Sequence, residues 1–217
     1  MKKYIIICTS LLVLIALFIF LISPIKEIDK KGAPNVTFDS LLTDVIENEY
    51  SVKLSQTSLQ LNYRFSEQNI DKLVTTHIHT IVDEVSSAEV VFTPKSMLVY
   101  TNKNLGFLPT QYVMELEPVI LNDRIALQVI NSKMGRIPIP SSFLLSNIEK
   151  NPTLKVDKGY IILFENVPNA LTFEKIEIED EILTVVINVQ ITSIVDMMEL
   201  GAVLLPYGIN LLDMLKN

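Results

Sequence analysis

Nineteen consecutive residues, Tyr4 to Ile22, carry no charge and are interrupted only by Cys8, Thr9 and Ser10. As an α-helix this run rises about 28 Å, close to the ~30 Å hydrocarbon core of a bilayer. Three readings compete for it. A cleaved export signal needs small residues near the end of the run. Here the run closes Phe20-Leu21-Ile22-Ser23-Pro24, with no A-x-A pattern. A lipoprotein needs a cysteine after the apolar region, and Cys8 stands near its start. An uncleaved anchor fits both the length and the flanks. Lys2 and Lys3 favour a cytoplasmic N-terminus, against Lys26, Lys30 and Lys31 on the far flank. The sequence thus predicts a single-pass protein of a bacterial-type cell membrane, anchored through residues 4–22, with its body outside the cytoplasm.

The expected organisation is a tail and anchor over 1–22, a juxtamembrane linker over 23–36 and one domain over 37–217. Pro24, Gly32 and Pro34 among charges mark the linker. Hydrophobic residues make up 49% of the chain and charged residues 20%, which excludes a disordered chain. Beyond residue 23 there are 16 basic and 25 acidic residues, a net charge of −9. Such a surface repels phosphates at long range, so a nucleic-acid partner is not expected. Cys8 is the only cysteine, so neither an intrachain disulfide nor a cysteine metal site is available.

Hydrophobic periodicity then sets the elements. Phe38, Leu41, Leu42, Val45 and Ile46 predict a short helix to about Glu49, behind Thr37 as N-cap. Asn35-Val36-Thr37 also matches a glycosylation sequon, expected to stay bare in a bacterial-type protein. Leu59, Leu61, Tyr63 and Phe65 alternate with polar residues and predict a strand. Ser66 is placed to cap a helix whose apolar positions run from Ile70 to Val85 at helical spacing, with Phe65 and Ile70 as a hydrophobic staple. Period-two segments follow at Ala88–Phe92, Met97–Thr101, Tyr112–Leu116 and Ile125–Val129, with a turn at Asn122-Asp123. The stretch Gly135-Arg136-Ile137-Pro138-Ile139-Pro140 breaks the pattern, since alternate prolines do not fit a central strand. Ser141 or Ser142 is expected to cap a short helix carrying Phe143, Leu144, Leu145 and Ile148, ended by Asn151-Pro152. Strands are expected at Tyr160–Phe164, around Ile176 and Ile178, and over Leu183–Ile191. The last residues, from Ile194, suggest a helix that packs on the sheet.

The residues offer little catalytic chemistry. His77 and His79 stand two apart on a helix and point to opposite sides, so they do not share a metal. Glu174, Glu177, Glu179, Asp180 and Glu181 lack the glycine turn of a calcium loop and suit a solvated face. There is no G-x-S-x-G, no H-E-x-x-H and no phosphate loop. No catalytic residue, metal ligand or cofactor is therefore expected, and the chain is not read as an enzyme.

The short lysine tail, the single anchor, the strand–cap–helix unit over Leu59–Val85 and Gly135-Arg136-Ile137-Pro138-Ile139-Pro140 followed by Phe143-Leu144-Leu145 together resemble the YpmS family of Gram-positive bacteria. The likeness covers roughly residues 1–22 and 57–190. The family implies no reaction and no catalytic residue. Its strand-rich half around a long helix looks like tubular lipid-binding folds, an analogy of fold alone. The expected fold is α+β: a curved antiparallel sheet wrapped around a long amphipathic helix. Leu61, Tyr63, Leu127, Val185 and Ile187 would line an apolar groove, and Ile137, Pro138, Ile139, Pro140 and Phe143 its rim. The function expected first is binding or shuttling of a lipid-like envelope molecule. The alternative is an anchored module that docks a cell-envelope protein partner.

Overall fold

The computed structural model describes residues 2–28, 50–54, 58–81, 85–149, 155–163, 167 and 170–190. The helix expected near 38–49, the Asn35 sequon, Asn151-Pro152, Phe164 and the helix expected from Ile194 lie outside these residues, as do the side chains of His77 and His79.

The first element is α1, Lys2–Ile22. Its side chains are described from Ile7 onward, and every one from Ile7 to Phe20 is exposed, on all sides of the helix. Among the described residues no helix is long and apolar enough to cross a membrane; the part from 7 to 22 rises about 24 Å.

The strands are β1 (Tyr50–Leu54), β2 (Ser58–Ser66), β3 (Val85–Phe92), β4 (Met97–Leu105), β5 (Leu108–Leu121), β6 (Arg124–Met134), β7 (Ile137–Pro138), β8 (Lys155–Asp157), β9 (Tyr160–Ile162), β10 (Leu171–Glu179) and β11 (Ile182–Gln190). Two further helices are α2 (Glu67–Ile81) and α3 (Ser141–Ile148). The described residues are mixed helix and sheet and mostly antiparallel, as an α+β fold requires. They form two sheets, however, rather than one. The first has four strands in the order β1-β2-β11-β10, and the second has seven, β3-β4-β5-β6-β9-β8 with β7 beside β6. Local chemistry fixes the hairpins. Asn122-Asp123 and Asp180-Glu181 both hold φ > 0 at two successive residues, the turn that matches strand twist and favours Asn and Asp.

The core lies between the sheets. Leu59, Leu61, Tyr63, Leu183, Val185 and Ile178 face Val90, Val99, Met114, Leu116 and Ile125, and α3 adds Leu144, Leu145 and Ile148. Each fully buried aliphatic side chain here stabilises the fold by about 1.5–3 kcal/mol.

Helix α2 is not enclosed by a curved sheet. It lies along β3, the outermost strand of the larger sheet. The Phe92 N–H donates to Glu67 Oε2 (2.7 Å), the Val90 N–H to Asp71 Oδ1 (2.8 Å), and the Thr75 hydroxyl to the Ala88 carbonyl (3.4 Å). Four helical residues rise about 6 Å and two strand residues about 6.7 Å, so positions 67, 71 and 75 keep step with 92, 90 and 88. The helix thus satisfies backbone groups that an edge strand would leave open. Ser66 caps α2 as expected, accepting the Asn69 N–H at 3.3 Å. Helix α2 is described as far as Ile81, and Val85 belongs to β3, buried beside Ile78 and Ala88. The N-cap of α3 is Pro140, not a serine, and no side chain caps it.

Candidate functional site at the helix–sheet junction

The C-terminus of an α-helix leaves its last four carbonyls without intrahelical donors. In α1 every one of the four is supplied from nearby. The Ser23 N–H donates to the Ile19 carbonyl (3.0 Å). The Phe20 carbonyl accepts from the Ser23 hydroxyl (2.8 Å) and from Arg136 Nη1 (2.8 Å). The Leu21 carbonyl accepts the backbone N–H of Arg136 (2.7 Å), and the Ile22 carbonyl accepts the buried Thr110 hydroxyl (2.6 Å). Arg136 Nη1 also reaches the Ser23 hydroxyl (3.1 Å), and its guanidinium lies 4.3 Å from the centre of the Phe20 ring. A cation at this position complements the negative end of the helix dipole.

Gly135 makes the close approach possible. It holds φ +55°, and a Cβ there would fall 2.6 Å from the Ile22 carbonyl carbon and 2.7 Å from its Cα. Its own N–H donates to the Gln111 carbonyl at 2.7 Å, which ties the β6–β7 turn to β5. Only glycine combines this backbone conformation with so short a separation.

Past Ile22 the chain runs across the outer face of the larger sheet. Gln111, fully buried at 0% exposure, clamps it. Its Oε1 accepts the N–H groups of Ile25 (3.2 Å) and Lys26 (3.1 Å), while Nε2 donates to the Lys26 carbonyl (2.8 Å) and to Asn102 Oδ1 (2.9 Å). Asn102 in turn donates to the Ser87 hydroxyl at 3.0 Å. Lys26 Nζ pairs with Glu89 at 2.8 Å and sits 5.2 Å from the centre of the Tyr100 ring. That ion pair is partly exposed and is worth about 0–1 kcal/mol. The stretch expected to be a linker therefore starts as a strap over β5, β4 and β3, at least to Lys26.

The residues expected to line a groove lie in the core or pack against it. Leu61, Tyr63 and Val185 are buried in the core, and Leu127 and Ile187 pack against it. Of the expected rim, Ile137 and Ile139 are half-buried, whereas Pro138 and Pro140 are exposed and Phe143 is 53% exposed. An open pocket of about 320 Å³ lies elsewhere, between the ends of the two sheets. Lys95, Glu117, Glu177 and Glu179 line it together with Pro94, Pro118, Ile176 and Ile178. Among the described residues no group of three His, Cys, Asp or Glu side chains is placed to hold a metal.

Periodicity missed Thr110, Gln111 and Arg136. A glutamine on the polar side of an alternating strand signals solvent, and only the strap turns that side into an interior. The one available signal was Gly135 beside Arg136, a turn glycine followed by a cation, and it suited a loop equally well. Comparison with protein-family models, with curated proteins and with solved structures gives no match to this chain.

Proposed function

We propose that the chain is a membrane-anchored domain outside the cytoplasm whose two-sheet body is held at a set angle to the bilayer and serves as a docking platform for a cell-envelope protein. The observation that carries the reading is the junction: α1 is apolar and exposed on all sides from Ile7 to Phe20, yet its last turn is locked to the sheet by Thr110, Gly135 and Arg136. A helix apolar all round belongs in lipid or a large core, and no described element covers this one. Its backbone runs from Lys2 to Ile22, 21 residues, or about 31 Å, the depth of a hydrocarbon layer. A flexible tether would suffice for a domain that only needs to stay near the membrane. A capped and clamped helix end suits one whose orientation matters.

Docking of a protein is preferred over carriage of a lipid because a lipid tail needs vacant apolar volume. Leu61, Tyr63 and Val185 instead make contact within the core. The exposed Pro138, Pro140 and Phe143 form an apolar strip on the surface, a feature that suits a protein contact. The likeness to the YpmS family rests on this same strip and stands as part of the proposal.

Two measurements test it. Alkaline extraction of membranes should leave the full chain in the pellet. A photocrosslinker at position 143 in cells should trap a protein. Recovery of the chain in the alkaline supernatant would refute the anchor. A stoichiometric lipid found by native mass spectrometry of the gently solubilised chain, with no protein crosslink, would return the lipid carrier to first place.

A further inference from the structure

The β4–β5 hairpin ends in Leu105-Gly106-Phe107-Leu108, with Leu105 paired to Leu108. Gly106 holds φ +63°, and Phe107 has no positive φ, so this two-residue turn requires glycine at its first position only. That requirement accounts for Gly106. It does not account for Phe107, 90% exposed, or for Leu105, 48% exposed. Among the described residues the other two-residue hairpin turns are Asn122-Asp123, Gly135-Arg136, Lys158-Gly159 and Asp180-Glu181, and none of them carries an apolar side chain. An aromatic ring held out in water, between two leucines and at the tip of a stiff ribbon, implies a surface that covers it.

Position identifies the surface. Thr110, which caps the Ile22 carbonyl, stands on β5 three residues past Phe107. The tip therefore reaches about 10 Å beyond the helix junction. Helix α1 leaves the domain from that same end of the sheet, because its last turn is bonded to the strands and its described side chains from Phe20 back to Ile7 are exposed. Ile25, 47% exposed, lies beside the junction. The acidic Asp180-Glu181 turn follows Glu179, which lines the pocket with Pro94 and Lys95 at the opposite end of β4.

We infer that the Leu105–Leu108 tip is a second membrane contact, dipping Phe107 and its flanking leucines into the interfacial layer beside the anchor. This rests on the anchor reading proposed above. With the helix, it gives the domain two separated points of support on one leaflet, and so removes rotation about the helix axis as well as tilt.

The chain contains no tryptophan, so single substitutions supply unique reporters. Full chains carrying Phe107→Trp, Leu14→Trp or Glu181→Trp would be reconstituted in phosphatidylcholine–phosphatidylglycerol vesicles, with and without lipids brominated near the headgroup or deep in the acyl chain. The expected result is blue-shifted Phe107→Trp emission, quenched several-fold more by shallow bromines than Glu181→Trp, with Leu14→Trp quenched by deep bromines. Leu14→Trp quenched while Phe107→Trp stays open to aqueous acrylamide would overturn the tip contact and leave the anchor standing. Neither being quenched would overturn both. Phe107→Trp shielded from acrylamide but untouched by bromolipid would overturn the lipid assignment and mark a protein contact at the tip.

Discussion

Gln111 has two acceptor sites on Oε1 and two donors on Nε2, and all four are used, three of them on the backbone of Ile25 and Lys26. A buried amide in this state contributes more through what its loss would strand than through its own bonds. Gln111→Leu keeps the bulk of the side chain and leaves two N–H groups and one carbonyl unpaired beneath the strap. The expected cost is about 2–4 kcal/mol of strap docking. Amide exchange at Ile25 and Lys26 should accelerate by at least tenfold, while exchange in β11 on the far sheet stays unchanged. Gly135→Ala tests the same contact from the other side. A left-handed residue costs about 1–2 kcal/mol once it carries a Cβ, and here that Cβ would also meet the backbone of Ile22. Its thermal unfolding midpoint should fall below that of a Gly106→Ala control, where nothing lies within 4 Å of the added carbon.

At the scale of elements, α2 and β3 stabilise each other by a device that is local in geometry and distant in sequence. Glu67 and Asp71 stand one turn apart and meet alternate N–H groups of the strand. Charge-assisted bonds of this kind are worth about 1.5–3 kcal/mol each. Asp71→Ala should therefore lower stability by that amount and open the edge at Val90, so that heated samples scatter light earlier than the unfolding transition predicts. Asp71→Asn keeps an acceptor oxygen and should recover most of the loss. Ser66→Ala removes the cap and should cost about 0.5–2 kcal/mol. The elements themselves were legible: β2, β5 and β11 show alternating burial around Leu61 and Tyr63, Met114 and Leu116, and Leu183 and Val185. Their assembly was not. Strand β11 pairs with β2 across more than a hundred residues, Ile187 opposite Leu61, and nothing in either strand's period says which partner it takes. The division into two sheets decides the surroundings of Leu61 and Val185, which lie in the core between them. The helix over 67–81 was legible in its period and cap. Its seat along an edge strand depended on which acids meet which amides, and periodicity does not encode that.

For the whole molecule, the junction separates two properties that are usually lost together: attachment and orientation. Attachment depends on the apolar length of α1. Orientation depends on Thr110, Gln111, Gly135 and Arg136, none of which belongs to the core between the sheets. A double variant, Thr110→Val with Arg136→Ala, strips the last three helix carbonyls of two side-chain donors and removes the cation over Phe20. Loss of the Thr110 hydroxyl deprives the buried Ile22 carbonyl of its donor, about 1–3 kcal/mol, while the Phe20 carbonyl keeps the Ser23 hydroxyl and loses the cation; both costs fall on the helix end, outside the two-sheet core. The variant should stay in the alkaline-extracted pellet and unfold close to the wild-type temperature. What should change is the spread of distances between a spin label at Asp180 and labelled headgroups, narrow in the wild type and broadened several-fold in the variant. Arg136→Lys should not restore the narrow spread, because an ammonium cannot reproduce the planar fork that bonds Phe20 and Ser23 while lying over the ring. Equal spreads in wild type and double variant would mean that the domain already rotates freely on its helix, and a platform of fixed orientation would then have no physical basis.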